Sequence, residues 1–370
     1  RKPVRRPDLL LHAGTPQAFT LPTDSPEADG TMAWSATTVI VVHITAGGCT
    51  GLGYTYSDAA VARLIEGTLK HRIVGSDPFA PTKLWDALQT AVRNMGRAGM
   101  AANAISAVDT AVWDLKAKLL DLPLVTLLGA RRDHIEIYGS GGFTTYSDQQ
   151  LAQQLHRWVH DAGCRAVKIK VGSNPARDPH RLEIARRAIG DAALFMDANG
   201  AMDVKAAIAS GRRAMEAWGV CWFEEPVSSD DIEGLTAIRA HLPAPMELAA
   251  GEYIYNVDMA RQLLACHAVD VLQADITRCG GVSGLLRVAD LADAFHIPFS
   301  AHCAPALHLH ALCAVRNLRH LEWFHDHVRI EQRLFDGAPI PHDGRIAPDL
   351  AQPGCGLTFR HADAAPFAVH

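Results

Sequence analysis

A (β/α) barrel with a smaller α+β unit in front of it is the α/β fold that the sequence predicts, on three observations. Short apolar segments alternate with helix-like stretches along the last two thirds of the chain. Polar residues recur at the ends of those segments at nearly constant spacing. The first third has a different pattern, a β-branched strand candidate followed by a long amphipathic helix. With 370 residues there is room for one large barrel and one smaller domain.

In the first third, Thr37 to Thr45 (TTVIVVHIT) reads as a strand ended by Ala46-Gly47-Gly48. Ile105, Val108, Val112, Leu115 and Leu119 step by three and four, which places them on one helix face that stops before Pro123. From Ile135 onward the strand candidates are IEIY (135–138), AVKIKV (166–171), ALFMD (193–197), VCWFE (220–224), MELAA (246–250), VLQAD (271–275), IPFSA (297–301) and HLE (320–322). Strands alternating with helices pair in parallel through right-handed crossovers, and eight of them predict a closed barrel. The tail, rich in Pro and Gly (Pro348, Pro353, Gly354, Gly356, Pro366), is expected to cross back over the first unit. The expected division is 1–125, 126–345 for the barrel, and 346–370 for the returning segment.

Composition excludes several function classes. Hydrophobic residues make up 48% and charged residues 20%, and the net charge of −5 gives no basic field for nucleic acid. No apolar stretch reaches the roughly 20 residues that span a bilayer, so no membrane partner is expected. The start, Arg1-Lys2-Pro3, has no apolar signal core. Eight scattered cysteines without a C-x-x-C point to a reducing cytoplasm rather than to disulfides or zinc.

The residues that carry chemistry stand at the strand ends: Lys168 and Lys170, Asp197, Glu224 with Glu225, Glu252, Asp275, His302 and Glu322. From Lys170 they follow one another by 27, 27, 28, 23, 27 and 20 residues, about one βα unit per step. They therefore converge on the C-terminal mouth of the barrel, where barrel enzymes carry their sites. Asp197, Glu224 and Glu252 make an oxygen-rich pocket for a hard cation, and Mg²⁺ is favoured over zinc. Lys168 and Lys170 lie two apart on one strand and point the same way, and near a cation each should push the other toward the neutral, basic form. Asp275 and His302 end neighbouring strands, so the carboxylate fixes the tautomer of the imidazole and raises its basicity.

Together these residues resemble the enolase superfamily, and within it the mandelate racemase subgroup (the mandelate racemase/muconate lactonizing enzyme family), in the manner of its acid-sugar dehydratases. The resemblance runs along nearly the whole chain and rests on K-I-K (168–170), M-D-A-N (196–199), W-F-E-E-P (222–226), A-G-E (250–252), A-D-I-T-R-C-G-G (274–281), S-A-H (300–302) and L-E-W (321–323). ISAVDTAVWDLKAK (105–118) is similar to the domain-joining helix of the superfamily. The resemblance implies a modified TIM (β/α)-barrel with an N-terminal α+β capping domain. It implies Mg²⁺ held by Asp197, Glu224 and Glu252, with Glu225 only a neighbour. Lys170 would be the base on one face of the substrate and Lys168 would tune it. His302, oriented by Asp275, would serve the other face, and Glu322 would donate a hydrogen bond to the substrate carboxylate. Asn199 and Ser140 fall on substrate-contacting positions. A homo-oligomer is implied as well.

The implied half-reaction is removal of the proton beside a carboxylate, giving an enediolate stabilised by the cation and its neighbours. Loss of a β-hydroxyl then gives a 2-keto-3-deoxy acid, so dehydration of an aldonate or aldarate is the expected outcome. The alternatives are a racemase, epimerase or cycloisomerase of a 2-hydroxy acid and, in a different class, a non-catalytic binding barrel. Specificity is expected from two capping-domain loops, Phe19–Ser35 with Thr20, Thr23 and Asp24, and Gly47–Ser57 with Tyr54 and Tyr56. Arg97 and Arg278 are candidates for a distal carboxylate, with structural ion pairing the simpler reading. His308/His310 and His325/His327 lie two apart on helices and do not share a face, which disfavours a zinc hydrolase. GSGG (139–142) and CGGVSG (279–284) match no phosphate-binding fingerprint.

Overall fold

The computed structural model describes residues 9–369, so the chain start and the first eight positions of the expected capping domain lie outside the described residues. An antiparallel sheet comes first: β1 (Gln17–Ala28), β2 (Ala33–Ala46) and β3 (Cys49–Tyr56), with β2 paired to both of the others. Both faces of β2 are buried, which explains its unbroken apolar run. Val39 and Val41 pack toward the barrel, while Ile40, Val42 and Ile44 alternate onto helix α1 (Met100–Leu119). Gly51 and Gly53 let α1 approach β3 closely, since a Cβ at either would sit 2.1 Å from the carbonyl oxygen of Ala111 or Ala107.

Eight parallel strands follow: β4 (Ile135–Gly141), β5 (Ala166–Lys170), β6 (Ala193–Asp197), β7 (Val220–Glu224), β8 (Glu247–Ala250), β9 (Val271–Ala274), β10 (Phe299–Ala301) and β11 (Leu318–Phe324). β11 pairs with β4, so the sheet closes into a barrel as the alternation of the sequence predicts. Alternate side chains sort to opposite sides. Val167, Leu194, Met196, Phe223 and Leu248 pack outward against the helices, and Tyr138, Phe195, Trp222, Ala249 and Val271 cluster inside. Among the described residues no helix is long and apolar enough to cross a membrane.

The joining helix is tied at two points along its length. Asp109 accepts from Ser283 N–H and Oγ at 2.8 and 2.7 Å, which fixes α1 to α2 (Gly281–Ala294), the helix after β9. Asp114 accepts from Leu52 N–H at 2.8 Å and Cys355 N–H at 2.6 Å, which links β3 to the tail. In the tail, Ala368–Val369 pairs with Ala18 and Phe19 of β1, and Phe359 packs on Phe19 with centroids 5.2 Å apart.

The two stretches expected to be specificity loops are mostly strand. Phe19–Ser35 lies largely in β1 and the start of β2, and Gly47–Ser57 is the β2–β3 turn followed by β3. Thr20 hydrogen-bonds Thr38 across the sheet at 2.7 Å. Tyr54 is fully buried, donates to Glu331 Oε1 at 2.6 Å and stacks on Phe335, while Tyr56 stacks on His327 with centroids 3.5 Å apart. The β-favouring Tyr-Thr-Tyr alternation, read as a binding loop, instead docks the sheet on the barrel.

Glu331 lies in that seam, and burial pushes its carboxyl up to about 8 against the hydrogen bonds from Tyr54 and Ala306 N–H. A carboxyl whose folded-state value is raised contributes stability fully below the unfolded value of 4.5 and loses it as pH climbs through about 8. Glu331→Gln removes the titration, while its Oε1 can accept from Ala306 N–H and its amide can donate to the Tyr54 hydroxyl. Its melting temperature should therefore gain on wild type between pH 5 and pH 8, by an amount equivalent to a few kcal/mol at about 1.4 kcal/mol per pH unit. A pH-independent difference in thermal melts would refute the assignment.

Candidate active site

The site is built by strand register. Lys170 on β5 pairs with Asp197 on β6, and Asp197 pairs with Glu224 on β7, so three charged side chains form one row at the C-terminal ends. Glu252 comes two residues after β8, beyond Gly251, whose φ is 138° and where a Cβ would meet Gln273 O at 2.0 Å. Asp275 and His302 directly follow β9 and β10. Glu322 on β11 pairs with Tyr138, and Ser140 on the same strand as Tyr138 pairs with Lys168. Asn199, Glu225, Cys303 and Ala304, each just beyond a barrel strand, have positive φ of 46°, 37°, 52° and 41°. Strained backbone of this kind collects at functional sites.

Apart from the half-buried Asn199, these side chains are buried, from 0% exposure at Lys168, Asp197 and Glu224 to 6% at His302. One ligand atom each from Asp197, Glu224 and Glu252 lies within 4.8 Å of the others, a spread that ligand bonds of about 2.0–2.6 Å to a hard cation can span. Lys170 Nζ is 2.6 Å from Asp197 Oδ2. Lys168 Nζ reaches Glu224 Oε1 at 2.5 Å, Glu322 Oε1 at 2.8 Å and Asp197 Oδ2 at 3.3 Å. At the far end of the triad, His302 Nε2 is 3.3 Å from Glu252 Oε2, and its Nδ1 is held by Asp275 Oδ2 at 2.8 Å. The lysine pair and the imidazole thus flank the carboxylate triad. Asn199 lies on the turn after β6, where its N–H donates to Asp197 Oδ1 at 2.9 Å.

Acidic groups outnumber cations here, and that sets the protonation of the site. Six carboxyls (Asp197, Glu224, Glu225, Glu252, Asp275, Glu322) face Lys168, Lys170, Arg278 and His302. Burial pushes the Glu224 carboxyl up to about 8, and crowding by Asp197 and Glu322 adds to this against Lys168. Burial and the adjacent Glu252 push Glu225 well up. Burial alone would lower both lysines, but the surrounding carboxylates hold them well above the ordinary lysine value. These same carboxylates would meet a cation, and with their charge offset the neutralisation expected of the lysine pair beside that cation would return. Glu322 accepts from Lys168, from Ser140 Oγ at 2.5 Å and from Cys303 N–H at 3.1 Å, and these partners hold it ionised against its burial. The donating proton expected of it is disfavoured, and Lys168 and Ser140 are the donors at that end.

The residues present fit a cation. Glu252 Oε2, Glu225 Oε1 and Asn199 Oδ1 are buried without a hydrogen-bond partner, which is costly unless something positive or donating meets them. The donor set is all oxygen, as hard divalent ions require.

Comparison with known proteins agrees with this arrangement. Residues 20–129 match the mandelate racemase/muconate lactonizing enzyme N-terminal domain, and 150–364 match the enolase C-terminal domain-like family. The chain belongs to the mandelate racemase/muconate lactonizing enzyme family of the enolase superfamily. A solved family member, a mandelate racemase/muconate lactonizing enzyme-like protein from Rubrobacter xylanophilus, is 47% identical with a TM-score of 0.94, covering 98% of this chain and 100% of that one. The L-talarate/galactarate dehydratase of Salmonella typhimurium is 38% identical over 78% of this chain and 74% of its own length. Its crystal structure with Mg and L-lyxarohydroxamate superposes with a TM-score of 0.88 at 31% identity, covering 98% of this chain and 93% of that one. The D-galactarolactone cycloisomerase of Agrobacterium fabrum is 34% identical over 71% of this chain and 65% of its own.

Within this family site, sequence reasoning passed over some participants and gave Arg278 a choice of two roles. Trp222 donates to Glu224 Oε2 at 3.0 Å, and its place two residues before Glu224 on one strand was a readable signal. Arg278, three residues after Asp275, donates to the carbonyl and carboxylate oxygens of Glu252 at 3.2 and 3.3 Å and lies 3.7 Å from Asp275. It is committed to this pairing and is not a free anchor for a distal carboxylate. Arg97 is exposed on the surface. Phe143, Phe324 and Cys303, with Trp34 and Tyr146 packed on them, form an apolar wall, and Lys170 Nζ lies 5.8 Å from the Phe324 ring. The other histidines are structural. His308 bridges Ile276 N–H and the Cys303 carbonyl, His310 accepts from Val125 N–H, and His327 accepts from Ala304 N–H. His325 lies 3.9 Å from Glu27, a buried acid whose carboxyl is pushed up to about 8 by burial and Asp326.

Proposed function

We propose that this chain is a Mg²⁺-dependent hydro-lyase that removes the α-proton of a sugar acid and expels the β-hydroxyl, giving a 2-keto-3-deoxy acid. One observation carries this reading: Lys170 and the His302–Asp275 dyad stand at opposite ends of a buried three-carboxylate cluster. Asp197, Glu224 and Glu252 would hold the ion. Bound there, Mg²⁺ polarises the substrate carboxylate and offsets the charge that grows on it when the α-proton leaves.

The chain's own residues do the rest. Lys168 and Ser140 donate hydrogen bonds to the substrate carboxylate, while Glu322 holds both donors in place. Asn199, with its unpartnered Oδ1, contacts a substrate hydroxyl. Lys170 takes the α-proton on one face, as the neutral amine that results once a cation on Asp197 offsets the carboxylate charge holding it protonated. His302 delivers a proton to the departing hydroxyl on the other, and Asp275 keeps the imidazole in the tautomer that presents Nε2. The completeness of this set argues against a non-catalytic binding barrel. The names of the dehydratase and cycloisomerase relatives support sugar acids as the substrate class.

A second reading has its own observation. The aromatic wall of Phe143, Phe324 and Trp34 suits an aryl or apolar 2-hydroxy acid, for which the same two bases would interconvert enantiomers. Incubation of aldonates, aldarates and mandelate with Mg²⁺ in D₂O separates the two. Keto acid trapped by semicarbazide from a sugar acid is the expected result. Deuterated, racemised mandelate without keto acid would establish the racemase instead, and no exchange on any acid would refute both.

A further inference from the structure

Cys303 plays no part in the reaction above, yet it is turned onto the groups that do. Its left-handed backbone, φ 52°, folds the thiol back against the preceding residue. Sγ lies 3.2 Å from His302 Nε2 and 3.4 Å from Glu322 Oε2, and those two atoms are 3.8 Å apart. Zinc bonds of about 2.3 Å to sulfur, 2.0–2.1 Å to nitrogen and 2.0–2.2 Å to oxygen at tetrahedral angles place ligand atoms roughly 3.4–3.6 Å apart. The three edges found here depart from that range by only a few tenths of an ångström.

His302, Cys303 and Glu322 are exposed by only 6%, 2% and 0%. Glu252 Oε2, buried and without a hydrogen-bond partner, lies 3.3 Å from His302 Nε2 and offers oxygen on a further side. The donors differ in kind from the all-oxygen triad, since thiolate and imidazole select zinc-like ions whereas carboxylates alone suit magnesium.

We propose that His302, Cys303 and Glu322 form a binding site for a thiophilic divalent cation such as Zn²⁺, and that its occupation shuts the enzyme off. On binding, the S–H bond of Cys303 breaks, its proton leaves to solvent and a sulfur–metal bond replaces it, with no change of oxidation state. The proton that His302 carries on Nε2 as general acid leaves to solvent as well, and the ion takes the lone pair this frees. The shut-off rests on the role proposed for His302 above, whereas the binding stands on the geometry alone.

The probe is Co²⁺, added to the full chain with Mg²⁺ present, in a Cys266→Ser background that removes the exposed thiol. A thiolate-to-cobalt charge-transfer absorption should rise to one equivalent. It should vanish in Cys303→Ser and Cys303→Ala and need at least about tenfold more cobalt in Glu322→Gln. Circular dichroism would show that the variants are folded. Zn²⁺ should bleach the absorption and cut turnover at least about tenfold, and added Mg²⁺ should not restore the rate. No absorption, an absorption that survives both Cys303 substitutions, or inhibition that Mg²⁺ relieves would each overturn the proposal. Absorption in a protein that turns over no acid would leave the metal site standing and discard the dehydratase. Turnover without absorption would do the reverse.

Discussion

Lys170→Ala should lower kcat on the preferred acid by about 10³-fold or more, equivalent to roughly 4 kcal/mol of barrel-mouth catalysis. The side chain is 4% exposed, and no other base stands at its position, because Lys168 is engaged by Glu224, Glu322 and Asp197. Solvent deuterium should cease to enter the α-position on the lysine face. Mg²⁺ affinity should change little by comparison, because Lys170 touches the triad only through Asp197. Rapid-quench turnover and proton NMR in D₂O check both halves. Full activity in the variant would remove Lys170 from the mechanism.

His302→Asn gives the complementary result. The change deletes the Nε2 that faces Glu252, while the amide Nδ2 can still donate to Asp275 from the place of Nδ1. Keto-acid release should fall by about 10²–10⁴-fold, the usual worth of a positioned general acid. Exchange of the α-proton with D₂O should persist, because Lys170 lies at the other end of the triad. Equal loss of exchange and of keto acid would mean that His302 acts in the first step as well. The roles of the two bases would then depend on the substrate's stereochemistry.

The barrel was legible because its two signals reinforce one another. Each of the eight expected strands is present within a few residues, and the recurring spacing from Lys170 to Glu322 reports the βα unit directly. Register then brings Lys170, Asp197 and Glu224 into one row, as their matched positions at strand ends imply. Contacts that cross the fold were less legible. The Tyr54–Glu331 bond joins residues 277 apart, and nothing near Tyr54 in the sequence distinguishes a docking strand from a specificity loop. For the lysine pair, sequence reasoning weighed one lysine against the other beside a cation and did not count the surrounding carboxylates. In three dimensions Lys168 has three carboxylates within 3.3 Å, and these decide its charge. Cys303 was hidden for a simpler reason: adjacent residues usually point apart, and only its positive φ brings Sγ back to His302.

The central claim is that one cation is gripped by Asp197, Glu224 and Glu252 between lysine and imidazole. Crystals grown with Mn²⁺ in place of Mg²⁺ test it through the anomalous difference map. A single strong peak bonded at about 2.0–2.6 Å to one oxygen of each of the three carboxylates, and lost in Asp197→Ala, is the expected result. A map without a peak there, or with the ion bound elsewhere, would contradict the account.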